Sequence, residues 1–192
     1  MENNRTSFSQ KILFKKQILK IKNKKINKYF LSLFSLKVII LKLVFFLILS
    51  ILIFSSSFVI REYFIQYNRD GIVLNPGIAF SQLNNANLTT VYIVQSIPVV
   101  VAFIAIIFVR NPFICFGLMM LFFGGLCNVI DRSLGGVIIN NQDLKNCVID
   151  YIPIGKTMAN LPDIYIIIGA GIAGLFSFIE VIKIIKNNDE IQ

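Results

Sequence analysis

The chain of 192 residues contains no histidine, and only 15% of it is charged. Without an imidazole, a catalytic thiol lacks its usual base, which argues against cysteine–histidine hydrolysis. The three cysteines form no CxxC pair: Cys115 and Cys127 lie in an apolar stretch and only Cys147 in a polar one. They read as buried filler rather than as a metal or redox site. A soluble domain carries roughly 25% charged residues. Here 56% of the chain is hydrophobic, 18 residues are phenylalanine and the mean hydropathy is +0.74. That balance excludes a soluble globular domain and implies a protein that spans a membrane several times.

What charge there is gathers at one end. The formal net charge is +9, and Arg5, Lys11, Lys15, Lys16, Lys20, Lys22, Lys24, Lys25 and Lys28 all precede the first long apolar run. A basic segment in that place is a cytoplasmic topology signal that also touches anionic membrane lipid, so no nucleic-acid partner is assigned. Met1 to Phe30 is no cleavable signal peptide, because the basic stretch is long and no small-residue cleavage site follows it. It reads as a tail before an anchor.

Four uncharged runs approach the ~20 residues needed to cross a ~30 Å hydrocarbon core. They are Leu43 to Ile60, Val91 to Val109, Phe113 to Ile130 and Ile164 to Ile179, the last reaching Ile182 if Glu180 lies at the interface. The basic tail, Arg110 in the short second connection, and Lys183 with Lys186 then fall on one side, which the positive-inside rule makes cytoplasmic. The connections Arg61 to Thr90 and Asp131 to Asp163 face out. Turn residues at Asp70-Gly71 and Asn75-Pro76-Gly77 bracket short extended pieces. The expected fold is a membrane all-α bundle of four transmembrane helices with a small extracytoplasmic β platform. Residues 1–34 form the basic cytoplasmic tail, 35–186 the bundle and 187–192 a cytoplasmic C-terminal tail.

The acids stand where acids are costly. Asp150 lies in the apolar-flanked stretch Val148-Ile149-Asp150-Tyr151-Ile152, which as a half-buried strand would set it opposite Ile149 and Tyr151. Asp163 follows Pro162 at the start of the fourth span, the place of an N-cap. Two carboxyl groups brought within a few ångströms share one proton, so that one activates water while the protonated partner polarises a peptide carbonyl. Gly124-Gly125 permits close helix approach, and Asn128 shares a helical face with Asp131 and Arg132.

Together these segments resemble the lipoprotein signal peptidases, the aspartic intramembrane peptidases of bacterial membranes. Asn75-Pro76-Gly77-Ile78-Ala79-Phe80 resembles the family's Asn-x-Gly-x-Ala-Phe, and Gly124 through Arg132 its Gly-Gly-x-x-Asn-x-x-Asp-Arg. Val148 through Ile152 is similar to Val-x-Asp-Phe-Ile, and Asn160-Leu161-Pro162-Asp163 to Asn-x-Ala-Asp. The resemblance implies Asp150 and Asp163 as catalytic pair, with Asn75, Gly77, Phe80, Asn128, Arg132 and Asn160 lining or ordering the site and Asp131 supporting it. It implies cleavage of a lipidated prolipoprotein before its diacylglyceryl-modified cysteine, without metal or cofactor, by a monomer whose partners are that substrate and membrane lipid. Where the family usually carries an aspartate and a lysine on the first helix, this chain has Arg61-Glu62-Tyr63. That contact is either lost or rebuilt by Arg61 and Glu62.

Two other readings predict different placements. A small non-catalytic transport or scaffold module would bind cations at acids near the bilayer midplane. A metal-dependent lipid transferase would need three or more closely spaced carboxylates.

Overall fold

The computed structural model describes residues 31–77, 87–134, 138–139, 142–143 and 146–189, with Lys20, Lys24 and Asn27. The chain divides into two units, residues 1–41 and 42–192. In the first unit residues 31–33 are helical and helix α1 begins at Leu36.

Four long apolar helices dominate: α1 (Leu36–Tyr67), α2 (Leu88–Phe108), α3 (Pro112–Ser133) and α4 (Leu161–Asp189). Each is long and apolar enough to cross a membrane. Helix α1 runs 32 residues, well beyond the predicted Leu43 to Ile60. Lys37 and Lys42 at one end and Arg61 and Glu62 at the other bound the uncharged run, but all four are good helix formers, so the helix continues through them. At 1.5 Å per residue it is about 48 Å long, more than the ~30 Å core.

Helix α3 is central, with 56% of its most apolar window buried against 11% for α1, 22% for α2 and 11% for α4. Asn111 caps it, its side chain accepting from the Phe113 and Ile114 amides at 2.9 and 3.4 Å, and Pro112 fills the first turn where no amide donor is needed. The preceding end of α2 is satisfied from α1, where Lys42 Nζ donates to the carbonyls of Ile106 and Ile107 at 2.7 and 2.9 Å.

The glycine pair on α3 serves two neighbours. A Cβ on Gly124 would stand 2.8 Å from the Pro162 carbonyl oxygen of α4, and one on Gly125 would stand 2.6 Å from Val99 of α2. Only glycine lets both helices come this close. Leu49, Ile53, Ile106, Cys115, Met119, Met120, Phe123 and Cys127 fill the space between the helices. Cys115 and Cys127 are buried here as expected, whereas Cys147, next to the turn residue Asn146, is only partly buried, which corrects the expectation for that residue.

Among the described residues the strands form three two-stranded antiparallel ladders rather than one sheet. β1 (Val73–Asn75) pairs with β4 (Val148–Asp150), Val73 opposite Asp150 and Asn75 opposite Val148. β2 (Ile138–Ile139) pairs with β3 (Gln142–Asp143), and β5 (Ile152–Ile154) forms a hairpin with β6 (Thr157–Ala159). Gly155 turns that hairpin at φ 60°, a left-handed value that suits a residue without a Cβ. Below β4 lies a second core of Ile65, Ile72, Ile149 and Tyr151, with Phe64 stacked on Tyr151 at 4.6 Å. Asp150 faces the cavity and Ile149 and Tyr151 this core, as the alternation predicted, but the expected half-burial of the strand is corrected. Val148, Ile149, Asp150 and Tyr151 are all buried, because the helices cover one face of β4 and this small core the other.

Candidate active site

The start of α4 brings the two acids together. Asn160 precedes the helix; its Oδ1 accepts from the Asp163 amide at 2.8 Å, while Asp163 Oδ2 accepts from the Asn160 amide at 3.3 Å. This is a reciprocal capping arrangement, in which each side chain satisfies a backbone donor of the other. Asp163 is thus the third residue of α4 and not its N-cap, since the helix already begins at Leu161. The Leu161 amide is taken by the Tyr151 hydroxyl at 3.2 Å. Burial pushes that phenol up to about 12, which keeps it neutral.

Asn160 also reaches the other acid. Its Nδ2 donates to Asp150 Oδ1 and to Asn128 Oδ1, both at 3.1 Å, and Asn128 Nδ2 donates to Asp163 Oδ1 at 2.7 Å. On the far side of Asp150, Asn75 Nδ2 donates to Oδ2 at 3.0 Å. The ladder register explains that contact, because Asn75 and Asp150 lie two places apart diagonally and so share a face. The amide orientations follow from fixed backbone donors: Asn75 Oδ1 accepts from the Gly77 amide at 3.0 Å, and Asn160 Oδ1 from that of Asp163. Both side chains must therefore turn their NH2 groups to Asp150. No hydrogen bond joins the two carboxyls directly; among the described residues Asn160 alone hydrogen-bonds to both.

Asp150 is 2% exposed. Burial raises its carboxyl from 3.8 to about 7; the amide of Asn75 opposes that rise, the charge of Asp163 adds to it, and the Asn160 amide again opposes it.

Asp131 and Arg132, adjacent on α3, diverge. Asp131 turns to α1 and β4, pairing with Arg61 through Oδ1 and accepting from the Ile149 amide at 2.9 Å through Oδ2. Arg61 pairs in turn with Glu62. Arg132 turns the other way, donating to the Pro76 and Asn146 carbonyls at 2.8 Å, to the Gly77 carbonyl, and through Nε to Gln95 Oε1 of α2 at 2.9 Å. It holds the Asn75-Pro76-Gly77 turn against α3.

Asn75, Gly77, Asn128, Arg132, Asp150, Asn160 and Asp163 line one cavity of about 380 Å³. Its walls are otherwise apolar: Val94, Pro98 and Val99 of α2, Leu121 of α3, Ile166 and Ile167 of α4, and Ile154 and Met158 of the hairpin. Asp131 stands behind the cavity, one layer from Asp150 through Ile149. Phe80 lies outside the described residues. Sequence reasoning missed Gln95 and Tyr151; the only available signal for Gln95 was a lone amide within an apolar run. Among the described residues no three His, Cys, Asp or Glu side chains form a group able to hold a metal ion.

Residues 70–179 match the family described as Signal peptidase (SPase) II. The chain is similar to a protein named Lipoprotein signal peptidase from Malacoplasma penetrans (strain HF-2), 33% identical over 198 residues, covering 93% of this chain and 78% of that protein. A second protein of that name, from Mycoplasmoides gallisepticum (strain R(low / passage 15 / clone 2)), is 30% identical over 145 residues, covering 69% of this chain and 47% of its own length. Among solved structures, one titled "Bacterial membrane enzyme structure by the in meso method at 2.3 A resolution" shares the fold. Its TM-score is 0.55 at 17% identity, over 77% of this chain and 91% of that one.

Proposed function

The chain belongs to the signal peptidase II family, proteases of the bacterial membrane that remove signal peptides from prolipoproteins, and on that premise we propose an aspartic mechanism centred on Asp150 and Asp163. One observation carries the reading: a single residue, Asn160, holds both carboxyls in one largely apolar cavity.

Asp163 sits in the first turn of α4, where the helix N-terminus favours negative charge. It serves as the base that takes a proton from the attacking water. Asp150, with its carboxyl raised to about 7, keeps a proton near neutrality and donates it toward the scissile carbonyl oxygen as that oxygen gains charge. The tetrahedral diol then collapses: Asp163 gives its proton to the leaving amine nitrogen as the C–N bond breaks, and Asp150 takes one back from a diol hydroxyl, so both carboxyls return to their starting state. The titration belongs to both groups together. The amides of Asn75, Asn128 and Asn160 hold the carboxyls in place through the cycle.

The bond cut is the one before the diacylglyceryl-modified cysteine. The apolar walls accept acyl chains, and the polar end of the cavity accepts the peptide. The basic residues before α1, Arg110, Lys183 and Lys186 set the termini in the cytoplasm and the strands and cavity on the outer side. The basic tail contacts anionic lipid there, and the protein acts as a monomer.

The test is purified protein in detergent with a synthetic diacylglyceryl-modified precursor peptide, read by mass spectrometry. The expected product begins at the lipidated cysteine, and Asp163→Asn abolishes it at unchanged abundance. Cleavage at another bond, or equal cleavage by Asp163→Asn, refutes the mechanism.

A further inference from the structure

We infer that Gln95 contacts the substrate, its amide nitrogen donating to a carbonyl oxygen of the lipid-bearing ligand in the cavity. The inference rests on the proposed peptidase reading and goes beyond it by naming a recognition residue on α2.

Asn160 has both amide hydrogens committed, to Asp150 and Asn128, while Asn75 and Asn128 each spend one on a carboxyl of the pair, their oxygens held by the Gly77 amide and by Asn160. Arg132 spends its guanidinium on the Asn75, Pro76, Gly77 and Asn146 carbonyls and on Gln95. Gln95 differs. Arg132 Nε can only donate, so the Gln95 atom facing it must be Oε1, which fixes the orientation of the amide. The Gln95 NH2 group then carries two hydrogens with no acceptor among the described residues, on a half-buried side chain that lines the cavity. A carboxamide in a mostly apolar transmembrane wall is costly without a partner, and a ligand carbonyl supplies one.

That carbonyl has two sources, a peptide group or an acyl ester of the diacylglyceryl chain. Two lipopeptides differing only in ester or ether linkage at the glycerol distinguish them. Gln95→Glu keeps an acceptor for Arg132 and removes the donor, so the clamp survives while the contact is lost. Its expected effect is a rise in KM of about tenfold, equivalent to ~1.4 kcal/mol, with kcat within twofold. A rise on the ester substrate alone assigns the acyl ester; an equal rise on both assigns the peptide carbonyl. Unchanged KM on both substrates overturns the inference, as does a fall in kcat at constant KM, which would mean that Gln95 acts only through Arg132.

Gln95→Met, of similar length and without donor or acceptor, repeats the test should the carboxylate variant fail to insert. It too must raise KM, and an unchanged value overturns the inference. Failure of the parent chain to cut either substrate is a separate result, which sinks the peptidase reading and the inference with it.

Discussion

Replacing Asp150 by asparagine exchanges a carboxyl for an amide of the same shape, so its consequences are electrostatic. Both Asp150 oxygens accept, from Asn75 and from Asn160. Neither neighbour can reverse its amide without abandoning the Gly77 or Asp163 backbone donor. The new NH2 group therefore confronts a donor, at a cost of ~1–3 kcal/mol. Against this stands relief from a buried charge. The Asp150 carboxyl titrates at about 7 in the folded protein against an ordinary 3.8. Because the folded value is raised, its contribution to stability is fully present below 3.8 and is lost as pH climbs through about 7, on the order of 4 kcal/mol in all. At pH 5 only the first part of that loss has accrued, so parent and Asp150→Asn are close to parity. At pH 8 the variant is the more stable by ~1–3 kcal/mol. Thermal unfolding in detergent at both pH values measures the gap, and lipopeptide cleavage at each pH falls by 10²–10⁴-fold, the usual worth of a general acid. A gap that is flat with pH, or that moves in favour of the parent, refutes the account of Asp150 as a carboxyl raised by burial. Retained cleavage refutes its role.

Further outcomes follow from neighbouring contacts. In the parent, the cleavage rate declines as pH rises above about 7, because Asp150 loses the proton it donates, whereas Asp70→Asn, in an exposed turn, leaves the pH profile unmoved. A rate that increases steadily to pH 9 contradicts this. Arg61→Met leaves the buried Asp131 carboxylate without its cation and lowers stability by ~3–5 kcal/mol, whereas Asp131→Leu costs less because Arg61 keeps Glu62, and the double variant recovers much of the Arg61→Met loss. Membrane abundance and thermal unfolding report it, and single variants as stable as the parent count against a buried pair. Gly124→Val forces a side chain onto the Pro162 carbonyl and displaces the start of α4. Stability should fall by ~1–3 kcal/mol and cleavage by more than tenfold, and wild-type turnover would show that the spacing of α3 and α4 does not position Asp163.

Much of the architecture was legible in the order of residues because it depends on local composition. Uncharged runs near 20 residues must place their backbone in helices when no water is present to bond it, so four spans were readable without any contact known. Their ends were less so. Helix α1 overran its apolar run because Lys37, Lys42, Arg61 and Glu62 end hydrophobicity without ending helicity. Motif order pointed to Asp150, Asp163 and their amide neighbours, since buried acids and glycine pairs are conspicuous against an apolar background. Their roles in the network were not readable.

Which oxygen meets which amide, the divergence of Asp131 from Arg132 and the turning of Gln95 toward Arg132 all depend on residues distant in the chain. The pairing of Arg61 with Asp131 spans 70 positions, and that of Asn75 with Asp150 spans 75. Composition alone determined that this chain crosses a membrane and carries acids it must justify. The tertiary structure decided how those acids are held, because hydrogen-bond direction and burial are properties of neighbours in space, and only folding chooses the neighbours.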